Sequence, residues 1–185
     1  MGPERVLLGI AVAFAVAGAA SSEYLSAKRK IEQIESDRLK AGTRLELNQP
    51  ELNAYVEQEA PAGVRNPKVQ VLSPGLVSGS ALIDFNKLRS GQGHPPGWLA
   101  RRLLEGEHPV TVIARIESGN GRAKVDVQKA QISGVTIDGR TIDFLIQTFL
   151  VPIYPDAVVG QPFEMGYHID RLDVQPTAVG VVIGR

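Results

Sequence analysis

The chain contains no cysteine. That excludes disulfides, thiolate nucleophiles, zinc–thiolate and iron–sulfur sites and a lipidated N-terminal cysteine, so the fold rests on its core alone. An excess of one charge is lacking too: 20 Lys+Arg balance 20 Asp+Glu, and the formal net charge is zero. Nucleic-acid binding calls for a basic excess or a basic face interleaved with aromatics, so no nucleic-acid partner is expected. Aromatic residues make up only 5% of the chain, with a single Trp98. The 43% hydrophobic content still suits a folded domain rather than a disordered one.

Catalytic and metal-binding signatures are equally sparse. His94, His108 and His168 are scattered, and none stands in an HxH or HExxH spacing. Gly75–Gly79 reads GLVSG, which sets the serine one position away from a nucleophile elbow and inside a strand pattern. Gly119-Asn120-Gly121 is followed by neither Lys-Ser/Thr nor a helix, so it is a turn and not a phosphate loop. Asp138, Asp143, Asp156, Asp170 and Asp173 follow no calcium-loop spacing, and aspartate is at home in turns. The expectation is a non-enzyme without cofactor or metal.

What the chain does have begins at its N-terminus. Val6–Ala20 (VLLGIAVAFAVAGAA) is apolar throughout, is preceded by Arg5 and ends in small residues. Ala17-Gly18-Ala19 has the small-x-small form of a signal-peptidase site, so residues 1–22 read as a cleaved signal peptide. Kept, the same stretch is a membrane anchor, and Lys28-Arg29-Lys30 behind it would bias that side toward the cytoplasm. Either way the expected location is outside the cytoplasm, periplasmic or membrane-anchored.

Residues 23–42 form a charged helix, with Leu25, Ile31, Ile34 and Leu39 as its apolar positions and Gly42 as its stop. It is either a stalk or a helix lying against the domain that follows, at 43–185. In that domain Asn48-Gln49-Pro50-Glu51 starts a helix running to about Glu59. Strands at Lys68–Ser73 and Leu76–Phe85 flank Pro74-Gly75, and Gly79 on the inner face marks a bulge or a close approach. A short helix carrying Trp98 and Leu99 follows the Gly/Pro-rich turn at Gly91–Gly97. Val110–Glu117 and Ala123–Ile132 alternate around Gly119-Asn120-Gly121 as a hairpin. Thr141–Val151 (TIDFLIQTFLV) is a helix apolar nearly all round, which either forms the core under a sheet or lines an apolar cavity. His168–Val174 and Val179–Ile183 make the last strand pair. With Arg44–Leu47 the count is about seven strands, an α+β domain whose antiparallel sheet wraps around the apolar helix.

QPELNAYV, and GVTIDGRTIDFLIQTF with its strand, turn and apolar helix, are similar to segments of small bacterial envelope proteins of the tubular lipid-binding type. The resemblance runs through most of Thr43–Arg185. It implies a curved sheet around a helix and an apolar groove for acyl chains. Trp98, Leu99, Leu145 and Phe149 are the candidates for lining that groove. The resulting expectation is a non-catalytic envelope protein that binds lipid or another hydrophobic ligand between sheet and helix. The alternative is a membrane-tethered structural or protein-interaction module.

Overall fold

The computed structural model of the chain describes residues 20–88, 106–151 and 159–184. Among them are four helices, one π-helical turn and nine strands, every strand pairing being antiparallel. The fold is therefore mixed helix and antiparallel sheet. The strands form two sheets rather than one. The sequence hides the two extra strands because each is only two residues long.

Helix α1 (Ser22–Glu35) starts where the Ser21 hydroxyl accepts the Tyr24 N–H at 3.2 Å. It stops well short of Gly42. Asp37 enters the left-handed region at φ 56°, its N–H returns to the Ile34 carbonyl, and its carboxylate takes the His168 Nδ1 at 2.7 Å. Aspartate tolerates that conformation and so ends the helix in place of glycine. Ala27 is fully buried and Ile34 nearly so, whereas Leu25 is half exposed. The face is set by what it covers. Ala27 and Ile34 pack on Leu47, Val181 and Ile183 of the smaller sheet, so α1 lies against the domain.

That sheet has the order β1 (Arg44–Asn48), β9 (Ala178–Ile183), β8 (Ile169–Gln175). The last strand is central, and the first strand pairs with it from Arg44↔Val182 to Asn48↔Ala178. β9 ends in a continuous buried run, Gly180–Ile183, because α1 covers one face and side chains of the flanking strands the other. On that other face the Arg44 guanidinium crosses Gly180 to reach Asp173, and a Cβ at 180 would lie 3.1 Å from it.

Helix α2 (Gln49–Gln58) carries the capping box that its sequence announces: Asn48 Oδ1 accepts the Glu51 N–H and Glu51 Oε2 accepts the Asn48 N–H, both at 2.9 Å. Glu51 does more than cap. Its carboxylate is buried, and it also accepts Ser26 Oγ–H at 2.6 Å and Lys30 Nζ at 2.6 and 2.8 Å, while Lys30 reaches the Glu46 carbonyl. One carboxylate thus joins α1, β1 and α2. Further along α2, Asn53 Oδ1 accepts the Val69 N–H and Gln49 Nε2 donates to the Val69 carbonyl. These two amides occupy the free edge of β2 as a neighbouring strand would, protecting it from foreign pairing.

The larger sheet runs β2 (Val64–Ser73), β3 (Leu76–Ile83), β4 (His108–Gly119), β5 (Arg122–Ile132), β6 (Val135–Thr136), and β7 (Phe163–Glu164) pairs with the other end of β5. The hairpin turn has Asn120 at φ 53° and Gly121 at φ 75°, two consecutive positive values that match the twist of the strands. Strand β3 ends at Ile83, and Phe85 belongs to a one-turn helix, α3 (Phe85–Leu88). The two sheets meet where the turns of the larger one reach the outer edge of β8. Gly121 N–H donates to the Asp170 carbonyl at 2.9 Å, Ser118 Oγ–H to the Leu172 carbonyl at 3.1 Å and Gly75 N–H to the Val174 carbonyl at 3.1 Å. The Leu172 N–H in turn donates to Ser118 Oγ at 2.8 Å. Among the described residues no helix is long and apolar enough to cross a membrane.

Burial alone would raise the Glu51 pKa, but the hydrogen bonds from Lys30, Ser26 and the Asn48 amide, with the Lys30 charge, outweigh it, and the net shift is downward. A carboxyl whose folded pKa lies below its ordinary value contributes stability that is present above that ordinary value. The contribution is lost as pH falls through the lowered folded value. Urea titrations should therefore show Glu51→Gln less stable than wild type by about 2 kcal/mol at neutral pH, the scale of hydrogen bonds to a buried charge. The gap should narrow below about pH 4.5, the ordinary value of the carboxyl. A gap that stays constant into acid would mean that the carboxylate charge is not what holds the junction.

Candidate functional site

The face of the larger sheet away from solvent is built by period-two alternation, with one interruption. Val110, Val112 and Ala114 of β4 share a face with Ile83 of β3, and on β5 that face takes Val125 and Val127, then Ala130 and Ile132. The odd-to-even switch is a β-bulge. Ile113 pairs with Lys129 but Ala114 pairs with Val127, so Gln128 is the extra residue and the phase of β5 flips there. Without the bulge, Ala130 and Ile132 would turn to the opposite face.

Opposite this wall stands helix α4 (Gly139–Leu145), continued by the π turn Ile146–Leu150, which the Val151 N–H closes on the Ile146 carbonyl at 2.9 Å. Asp138 caps α4 by accepting the Thr141 N–H at 2.8 Å. Ile142, Leu145, Ile146 and Phe149 project from one side of this segment toward the sheet. No residue of α4 itself is fully buried. These side chains face a void rather than a filled interior.

The void is a cavity of about 450 Å³ bounded by eighteen described residues, all with hydrocarbon side chains. Besides the two walls, Pro61, Val64, Phe85, Leu88, Ile137 and Val159 contribute to its rim. Its firmest corner is a cluster of Phe85 and Ile132 with Leu145 and Phe149 against them, the Phe85 and Phe149 rings lying 4.9 Å apart and tilted by 59°. Of the four residues expected to line an apolar site, Leu145 and Phe149 stand in this lining together. Trp98 and Leu99 lie outside the described residues, as do the leader 1–19, His94 and Asp156. The sequence expectation placed a sheet opposite the helix but named none of its lining residues and no phase switch at Gln128. The signal for them is the shift from Val125-x-Val127 to Ala130-x-Ile132.

Most of the candidate polar groups among the described residues are engaged in structure, the exception being His108 Nε2, which is buried without a hydrogen-bond partner. Asp138 is a cap, Asp173 pairs with Arg44 and Arg171, and Asp170 pairs with Arg171. His168 pairs with Asp37, and His108 Nδ1 meets the Ser133 hydroxyl at 3.1 Å. Among the described residues no three His, Asp or Glu side chains converge as metal ligands would.

The rim of the cavity is held by Gly63, at φ 96°, which accepts the Asp84 N–H and lies under α3. A Cβ at 63 would stand 2.8 Å from the Asp84 carbonyl oxygen, 2.9 Å from the Lys87 Cβ and 3.0 Å from the Leu88 N. Gly63→Ala should therefore lower the stability by about 2 kcal/mol or more, from the left-handed penalty plus the backbone clash. Thermal unfolding measures it, and an unchanged midpoint would show that α3 is not clamped on this glycine.

Comparison with known proteins identifies no relative: no family model, no curated protein and no solved structure matches this chain.

Proposed function

We propose that this chain is a non-catalytic envelope protein that binds a lipid or another hydrophobic ligand between the larger sheet and the α4 segment. The observation that carries the reading is the cavity of about 450 Å³, whose described lining residues all carry hydrocarbon side chains. Protein interiors are packed with few voids larger than a water molecule, so space on this scale between well-formed elements is unusual. It falls within the range of small-molecule sites, roughly 300–1,000 Å³. Binding would be driven by removing apolar surface from water, at about 0.8 kcal/mol per buried methylene. The π turn at Ile146–Leu150 adds support, because π turns inside helices occur frequently at functional sites. Export, carried by the apolar leader, belongs to the same reading.

Native mass spectrometry of the gently purified protein is expected to show a bound species that disappears on denaturation. Ala130→Phe, which places a ring in the cavity from the sheet side, should weaken binding of an apolar fluorescent dye by about tenfold. That loss corresponds to displacing about two methylenes of buried ligand surface. A ligand-free wild type whose dye binding matches that of a folded Ala130→Phe variant would overturn the reading.

A further inference from the structure

We infer, resting on the binding reading above, that the ligand carries a hydroxyl group and that His108 reads it: the hydroxyl hydrogen-bonds to His108 Nε2 while the hydrocarbon remainder fills the cavity. The strand places the imidazole. His108 opens β4 two residues before Val110, so it shares the face of Val110, Val112 and Ala114, which line the cavity. It also pairs directly across the sheet with Ile83, another lining residue, and directly opposed residues share a face. Its ring stands 6.2 Å from that of Phe85, tilted by 42°, and Phe85 belongs to the corner formed with Ile132, Leu145 and Phe149. The imidazole therefore adjoins the hydrocarbon lining where β3 finishes and β4 begins.

The two ring nitrogens differ in their surroundings. Nδ1 meets Ser133 Oγ at 3.1 Å. Ser133 stands in the turn between β5 and β6 at φ 50°, beside Gly134 at φ 79°, a conformation that favours asparagine or glycine. Glycine at 133 would relieve that strain and remove the hydroxyl that holds the ring. Nε2, by contrast, is buried and has no hydrogen-bond partner. Buried polar atoms in native proteins are nearly always paired, and one left over needs a reason. The atom is closed to bulk water, so a partner that arrives with the ligand fills the gap. The Phe85 and Phe149 rings beside it border open space, and a small displacement of them into the cavity brings Nε2 within reach.

The hydroxyl follows from the imidazole's own chemistry. In the neutral ring one nitrogen donates and the other accepts. Where Ser133 donates to Nδ1, Nε2 carries the proton and donates; where Ser133 accepts, Nε2 accepts. A hydroxyl satisfies Nε2 in both cases, because it donates and accepts. A carboxylate only accepts, and no described lining residue carries a charge to offset its burial.

The test uses the full chain and displacement of the neutral dye N-phenyl-1-naphthylamine by 1-octanol, sodium octanoate and nonane, which are nearly equal in size. His108→Phe keeps an aromatic ring beside Phe85 and removes both nitrogens. It should weaken octanol about tenfold and leave nonane within about twofold, the scale of one buried hydrogen bond. The wild type should prefer octanol to octanoate. Without any substitution, the His108 Nε2 signal in nitrogen NMR should move when octanol is added and stay in place with nonane. A folded His108→Phe that treats octanol and nonane alike, an Nε2 signal that octanol leaves unmoved, or octanoate bound more tightly than octanol overturns this inference, while dye displacement keeps the binding reading standing. If none of the three displaces the dye from the wild type, the binding reading falls as well.

Discussion

The outward carbonyls of β8 are the constraint on which the arrangement of the two sheets depends. β9 satisfies one edge of that strand, and the other edge, facing the larger sheet, would leave Asp170, Leu172 and Val174 carbonyls without donors. A buried peptide group without a partner costs about as much as a lost hydrogen bond. The turns of the larger sheet supply the donors through Gly121, Ser118 and Gly75, at every second residue of β8. Gly75 serves twice, because its carbonyl accepts the Ile116 N–H at 2.7 Å while its own N–H reaches Val174. A Cβ there would stand 3.0 Å from the Ile116 carbonyl at φ 71°, so glycine is required. With the turns fixed on β8, the opposite ends of the long hairpins are free to diverge from the smaller sheet and face α4.

The two cores divide the labour. Around α1, β1, β8 and β9 the interior is filled, and Ala27 lets the helix approach closely over Leu47, Val181 and Ile183. The buried Glu51–Lys30 pair sits at the rim of this core, where each oxygen has its donors and Lys30 keeps contact with water. Around α4 the interior is open. The sheet offers small residues and α4 offers half-buried aliphatic and aromatic ones, so the facing surfaces do not interlock. The filled core thus lies on the smaller sheet and the cavity on the larger one.

Much of the local architecture was legible. The Asn48–Glu51 capping box, the Asn120-Gly121 turn and the alternation of β4 each depend on residues within a few positions of one another. Asp138, read from the sequence as a turn aspartate, serves as the cap of the next helix. Leu145 and Phe149 were legible as an apolar stripe, and the structure sets them side by side in the cavity lining. The limits of α1 were not legible. Its end depends on an Asp37–His168 contact spanning most of the chain, and its buried face on a sheet made from the chain's first and last described strands.

Which segments become strands, helices and turns was determined by the sequence itself, because backbone preference and hydrophobic period act within a turn or a hairpin. The existence of two sheets, the seam along β8 and the void between β4, β5 and α4 were decided only in the tertiary structure. Strand pairing across distant segments is fixed by which edges find donors, and a cavity is defined by atoms that are missing. Gly79 shows both levels at once: the sequence displays a glycine in a strand and suggests a bulge, and only the packed fold shows that it pairs in regular register and that no described residue fills the place of its side chain.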